Sequence, residues 1–207
     1  MMKFNKKDLK TLSNIIAFRR DVRGNDFINK EISKKKLDII LQSALNSPSV
    51  GYSQPWNFII VDKEKRELVY ENFNKSFEES KNKFSDRPLY NTLKLEGIKE
   101  SNINIAVYYK KSSANVLGQT YMKRTGEYSV VCAILNMWLT ARALNIGMGW
   151  VSILKPKKIN KIFNIDKKEY KFIAYLCFGY TKRFHSEPEL KKLKWNKKRK
   201  LKDCFLK

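Results

Sequence analysis

The sequence predicts an α+β fold, one sheet covered by helices, and three observations carry that prediction. Apolar runs of strand length recur three or four times, and longer amphipathic or apolar stretches of helical length separate them. Clusters containing Pro and Gly punctuate the joints. With 207 residues, 43% hydrophobic and 13% aromatic, the chain can bury one good core; no repeat or linker divides it, so residues 1–207 are read as a single domain.

The first helix is expected over Lys6 to Phe18, where Leu9, Leu12, Ile15 and Ile16 share a face at three-to-four spacing. It delivers Arg19-Arg20-Asp21-Val22-Arg23 to the surface. Ser33 is the expected N-cap of a second helix with the stripe Leu37, Ile40, Leu41, Ala44 and Leu45, stopped by Pro48. From Pro48 to Trp56 two prolines and Gly51 fix a turn-rich connection, and Asn57–Val61 follows as a buried strand. Residues 63–101 are polar, helical in tendency and broken at Pro88, with Phe73, Phe77, Phe84 and Tyr90 widely spaced. A long, lightly apolar segment of this kind is expected to be a lid rather than a core element. Ile103 to Tyr109 is the next strand, and Lys110 to Thr125 a basic loop. Gly126 opens the most apolar helix, in which Val131, Leu135, Trp138 and Leu139 are spaced to face a core. Met148 to Ile153 is a strand with glycine near its start, a mark of close approach by a ligand or backbone. Pro156 starts a short helix and Phe172 to Gly179 is the last core strand; residues 186–207 form a basic extension. Periodicity leaves the strand order open.

Composition excludes several function classes. No run of 18 apolar residues spans a membrane, and the N-terminus lacks the apolar block of a signal peptide, so a cytoplasmic chain with no membrane partner is expected. Cys132, Cys177 and Cys204 follow no CxxC spacing, and His185 is the one histidine, which removes most metal and His-triad chemistries; no metal site is expected. The net charge of +23 comes mostly from lysine spread along the chain, read as a solvated surface; only Lys191 to Lys202, around Trp195, is locally dense. A nucleic-acid-binding protein would gather its basic residues on one face with aromatics for stacking, and here they are interspersed. No nucleic-acid partner is expected.

The chemistry is concentrated in Arg19-Arg20-Asp21-Val22-Arg23. Three guanidinium forks within five residues suit a multiply charged oxyanion. Once a ligand's phosphate takes the arginines, the Asp21 carboxylate is released to face its reactive end. Read alone, the stretch is more simply an ion-pair cluster at a helix end; its company along the chain changes the balance.

Arg19 to Arg23, Pro48-Ser49-Val50-Gly51 with Gln54-Pro55-Trp56, Leu93 to Ile98, the run from Tyr128-Ser129 to Arg142, Gly147 to Ile153, Tyr175-Leu176-Cys177, Pro188-Glu189-Leu190 and Trp195 occur together in this order. In them the chain resembles the flavin-dependent nitroreductase superfamily, and within it the flavin-fragmenting branch that forms 5,6-dimethylbenzimidazole, the lower ligand of vitamin B12. The resemblance implies a nitroreductase-like fold with a central mixed sheet flanked by helices, and an intertwined homodimer holding FMN at its interface. It implies that reduced FMN is a substrate, cut with dioxygen, in cobalamin biosynthesis. Asp21 is then the catalytic base, and Ser152 hydrogen-bonds the flavin ring. Arg19, Arg20, Val22, Arg23, Ser49 and Leu95 join them as flavin-binding residues, and the dimer wrap would bring Arg199 near a phosphate. The chain departs from that branch at Tyr121 to Gly126, basic where the branch is acidic or neutral, and no contact is carried over there.

The alternative is a conventional FMN-dependent NAD(P)H nitroreductase, which would share fold, dimer and phosphate site without needing Asp21. Asp21 and Ser152 argue against it. No GxGxxG fingerprint marks an internal reductase, so reduced flavin is expected to come from a separate flavin reductase or from free reduced FMN, with NAD(P)H acting indirectly. Trp56 and Trp138 are expected in the core, Glu96 in an ion pair near the lid, and His185 at the surface.

Overall fold

Four strands, β1 (Trp56–Ile60), β2 (Ile103–Lys110), β3 (Gly147–Val151) and β4 (Tyr170–Gly179), make one sheet in the order β1-β2-β4-β3 in a computed structural model that describes residues 2–206. Every strand pair is antiparallel, with Ile105 opposite Leu176 and Gly149 opposite Cys177. The mixed character expected of the sheet is confined to a single parallel bridge between Asp21 and Met148. β2 and β4 hold the middle, and both are buried over most of their length, as continuous apolar runs require.

Helices cover both faces. α2 (Lys34–Leu45) and α4 (Thr125–Ala143) lie on one side over a core that includes Ile40, Ala44, Ile105, Ile134, Met137, Met148 and Phe178. α3 (Lys63–Lys81) and α5 (Pro156–Ile162) cover the other, over Val69, Phe73, Tyr108, Val151, Ile159 and Tyr175. The segment expected as a lid therefore divides. α3 is anchored in this second core, and residues 82–101 continue as two short 3-10 turns and an extended stretch that returns to the sheet.

α1 (Lys6–Phe18) begins at a capping box, in which the Asn5 side chain accepts from the Lys7 and Asp8 amides and Asp8 accepts from the Asn5 amide. α2 starts after Ser33, as its sequence predicts, but the Ser33 hydroxyl makes no capping hydrogen bond. In α4 the expected face is wrong. Val130, Ala133, Ile134, Met137 and Ala141 are buried in the chain's own core, whereas Val131 and Leu135 are 42% and 48% exposed and Trp138 is half-buried. The helix is apolar on nearly every side, so spacing could not select which side packs inward; the small Ala133 and Ala141 let that side approach the sheet closely. α1 likewise leaves Leu9, Leu12 and Ile16 exposed, and none of its residues is buried.

Candidate active site

Arg19 to Arg23 leave α1 in extended conformation and run beside the start of β3. The Val22 amide donates to the Met148 carbonyl at 3.0 Å, and Asp21 Oδ1 accepts from the Trp150 amide at 3.0 Å. Two glycines make this approach possible. A Cβ at Gly149 would collide with the Val22 carbonyl oxygen, and one at Gly147 would lie 2.8 Å from the Val22 side chain. The glycines expected to mark a close approach therefore admit the Asp21 loop itself. Ser152 is exposed one residue beyond β3, two residues after the amide that fixes Asp21.

The three arginines have different surroundings. Arg23 pairs with Asp21 Oδ2 at 2.6 Å. Arg19 lies over the Trp138 ring at 4.4 Å, and burial pulls its guanidinium below the usual arginine range despite the nearby Asp21. Arg20 donates to four carbonyls, those of Ala17, Arg19, His185 and Ser186, so its fork is committed to holding backbone. Burial pushes the Asp21 carboxyl above its ordinary range, against Arg23, the Trp150 amide and Arg19, which stabilise the ionised form. A carboxyl raised in this way, with one oxygen fixed and the other on a guanidinium, is suited to taking up a proton more readily than an ordinary carboxylate.

Beside Asp21 lies a 160 Å³ cavity lined by Arg19, Asp21, Arg23, Asp26, His185 and Leu190, among others. His185, expected at the surface, is half-buried, with its Nε2 2.8 Å from Asp26 Oδ2. Asp26 also receives Arg183 Nε at 3.3 Å. Sequence reasoning missed Asp26, His185 and the Trp150 amide because neither proximity across a sheet nor a backbone donor leaves a local motif.

The remaining predicted residues are distributed as follows. Val22 is buried in the second core and Leu95 is half-buried against it, and the Glu96 carbonyl accepts from the Gly24 amide at 2.8 Å, so the stretch around Leu95 adjoins the Asp21 loop. Glu96 is buried and paired with Lys94, as expected. Burial acts to lower the Lys94 ammonium, but the Glu100 and Glu96 carboxylates outweigh it and hold the group above the usual lysine range. Ser49 is elsewhere. It precedes the short turn Val50–Tyr52, which is tied to the start of α4 by a bond from the Val50 amide to Ser129, whereas the carbonyl of Arg20, next to Asp21, accepts from Trp138 Nε1, about 13 Å further along that helix. Arg199 is exposed and donates to the Asp203 carbonyl. Among the described residues no group of His, Cys, Asp and Glu could hold a metal ion, and no helix is long and apolar enough to cross a membrane.

The nitroreductase family model matches residues 16–180, four-fifths of the chain from the end of α1 to the end of β4. The chain belongs to the nitroreductase family. Within it, the chain is 36% identical over 193 residues to the 5,6-dimethylbenzimidazole synthase of Rhodospirillum rubrum, covering 91% of this chain and 90% of that one. It is 32% identical over 199 residues to the 5,6-dimethylbenzimidazole synthase of Rhodobacter capsulatus, covering 94% and 95%. Solved structures share the fold at lower identity. A BluB-like flavoprotein from Clostridium difficile 630 superposes with TM-score 0.69 at 18% identity, over 95% of this chain and 99% of that one. Oxidised iodotyrosine deiodinase, bound to FMN and 3-iodo-L-tyrosine, superposes with TM-score 0.69 at 19% identity, over 84% and 91%. The family fold, with helices on both faces of the sheet, is therefore the one this chain adopts.

Proposed function

We propose that this protein is an oxygen-dependent 5,6-dimethylbenzimidazole synthase of cobalamin biosynthesis, working in the cytoplasm on reduced FMN. The observation that carries the reading is the Asp21 carboxylate, raised by burial and set between Arg19 and Arg23 on the loop pinned to β3. A family member that only shuttles electrons through a retained flavin has no need of a carboxylate there. The likeness to two relatives named as synthases, over nine-tenths of the chain, supports the same conclusion.

The residues present fit FMN in charge and in donor chemistry. Arg19 and Arg23 offer the cationic, forked donors that a phosphate or its neighbouring oxygens require, and the half-buried Leu95, on the stretch that adjoins the Asp21 loop, offers apolar surface. When bound, reduced FMN supplies the electrons taken by dioxygen and the ring system that is cut. Asp21 Oδ1 stays oriented by the Trp150 amide, and Oδ2, once the ligand's anionic end draws Arg23 away, is the atom that holds the abstracted proton. The Ser152 hydroxyl, exposed two residues beyond that amide, donates to the ligand's ring edge. Reduced flavin arrives free or from a separate flavin reductase that draws on NAD(P)H.

The enzyme works as a homodimer in this reading. The 160 Å³ cavity beside Asp21 is smaller than the ~300–1,000 Å³ typical of sites that enclose a whole ligand. Ser49 lies at the opposite end of α4 from Asp21, and exposed apolar side chains of α1 and α4 await a partner. A second copy crossing on these helices would cover them and bring its Ser49 toward this chain's Asp21.

The test is product analysis after mixing the purified protein with chemically reduced FMN in air, beside Asp21→Ala. Dimethylbenzimidazole from the wild type, and its loss from a variant that still binds FMN, is the expected result. Reoxidation to intact FMN by both proteins, together with nicotinamide-driven reduction of a nitroaromatic, would replace this reading with that of a conventional nitroreductase.

A further inference from the structure

Three segments are joined in a ring, two of which, the Asp21 loop and residues 181–190, line the cavity beside Asp21, and each junction is different. Residues 181–190 are stitched to the Asp21 loop by backbone and charge. Thr181 bridges Phe27, the Lys182 amide donates to the Asp26 carbonyl at 2.9 Å, His185 and Arg183 hold the Asp26 carboxylate, and Arg20 donates to the His185 and Ser186 carbonyls. The loop is in turn stitched to the end of the lid segment by the bond from the Gly24 amide to the Glu96 carbonyl. There is no slack at that joint, since a Cβ at Gly24 would lie 2.6 Å from Lys94 Cε and from the Glu100 carboxyl carbon.

The third junction closes the ring through one side chain. After α6 (Glu189–Lys192) the chain turns at Lys194, whose φ is +57°, and the Trp195 amide donates back to the Leu190 carbonyl at 2.8 Å. This turn presents the half-buried Trp195 ring to the middle of the lid segment. Its centroid is 5.8 Å from Phe84 and 6.2 Å from Tyr90, and Arg87 lies over it at 4.7 Å. The lid side of the contact is itself ordered on α3, because Tyr90 stacks on Phe77 at 5.2 Å and its hydroxyl is 2.5 Å from Ser80 Oγ. Among the described residues, this junction has ring and cation–π contacts but no backbone hydrogen bond between its two segments. It is therefore the joint that can open while the other two stay closed.

We propose that Trp195 is the positioning residue of the cavity's Leu190 wall: docked on Phe84, Arg87 and Tyr90 it holds the α6 turn, and Leu190 with it, against the Asp21 cavity, and undocking opens that cavity to flavin. Leu190, which lines the cavity, and Trp195, which grips the lid, lie on the same turn, so the two move together. The identity of the ligand rests on the function proposed above; the docking of Trp195 does not.

The experiment compares wild type, Trp195→Ala, Trp195→Phe and Arg87→Ala as full-length proteins, first by amide hydrogen exchange without ligand and then by stopped-flow FMN binding. Trp195→Ala should speed exchange in residues 84–92 about tenfold and leave β2 and β4 unchanged, with Trp195→Phe close to wild type and Arg87→Ala between them. FMN association and dissociation should both accelerate in Trp195→Ala, with a much smaller change in Kd. Unchanged exchange in residues 84–92 for both Trp195→Ala and Arg87→Ala would overturn the proposal, as would faster exchange with unaltered FMN rates. Failure of every protein to form dimethylbenzimidazole would count against the function alone, because neither readout depends on turnover.

Discussion

The Trp150 amide donates to Asp21 Oδ1 at 3.0 Å, so one oxygen of the carboxylate is held by strand β3, from outside its own loop. Arg23 takes the other oxygen, and the two constraints leave Asp21 one exchangeable partner. This division of the two oxygens governs the expected pH behaviour.

Because burial raises the folded-state pKa of Asp21, product formation should fall as the pH drops through that raised value, at a pH above the ordinary carboxylate range. Arg23→Ala removes the largest opposing influence and should move the limb to still higher pH. A pH–rate profile with reduced FMN checks both. Stability follows the same linkage. Below the ordinary carboxylate range Asp21 is protonated in folded and unfolded chains alike; as pH rises the unfolded chain releases its proton first. The stability advantage of wild type over Asp21→Asn should therefore shrink with rising pH, then level off above the folded pKa. Urea titrations across pH 3 to 8 would show it.

Arg20 and Arg23 should part company on substitution. Arg20→Ala leaves the His185 and Ser186 carbonyls without their donor and should lower stability by about 1–3 kcal/mol. Arg23→Ala should lower it less, and instead weaken FMN binding. Denaturant midpoints beside flavin titration separate the two roles.

Gly149→Ala places a methyl group against the Val22 carbonyl oxygen, and backbone must move to admit it. Overpacking of this kind costs about 1–3 kcal/mol. The shift would also carry the Trp150 amide away from Asp21, so product formation should fall further than flavin binding. Steady-state rates and FMN affinity measured on the same variant test this.

Charges placed on the exposed apolar helix faces should break the proposed dimer. Leu135→Asp or Leu12→Asp should give monomers by sedimentation, with loss of FMN binding, while a charge at the solvated Lys75 position, Lys75→Glu, should change neither.

Much of this fold was legible from spacing. The bounds of α1, the start of α2 after Ser33 and the apolar runs of β2 and β4 follow from periodicity and turn residues. α4 was not legible in phase, because a helix with apolar residues all round carries no signal for which side faces its own chain. At the site, Arg19, Asp21 and Arg23 lie in one short stretch and stood out together. The commitment of Arg20 to the His185 and Ser186 carbonyls, the fixing of Asp21 by a strand amide and the joining of His185 to Asp26 all depend on contacts more than a hundred residues apart in sequence. Residue types at local spacing say nothing about such contacts.

The exposed stripe of α4 also contains Cys132, beside Val131 and one turn from Tyr128 and Leu135. A thiol in that position is a native reporter of assembly. Its alkylation should slow as protein concentration rises, whereas Cys204, exposed near the C-terminus, reacts at a constant rate and Cys177, buried in the sheet, stays silent until the chain unfolds. The same tube of unmodified protein would thus give the association constant from one cysteine and global opening from another.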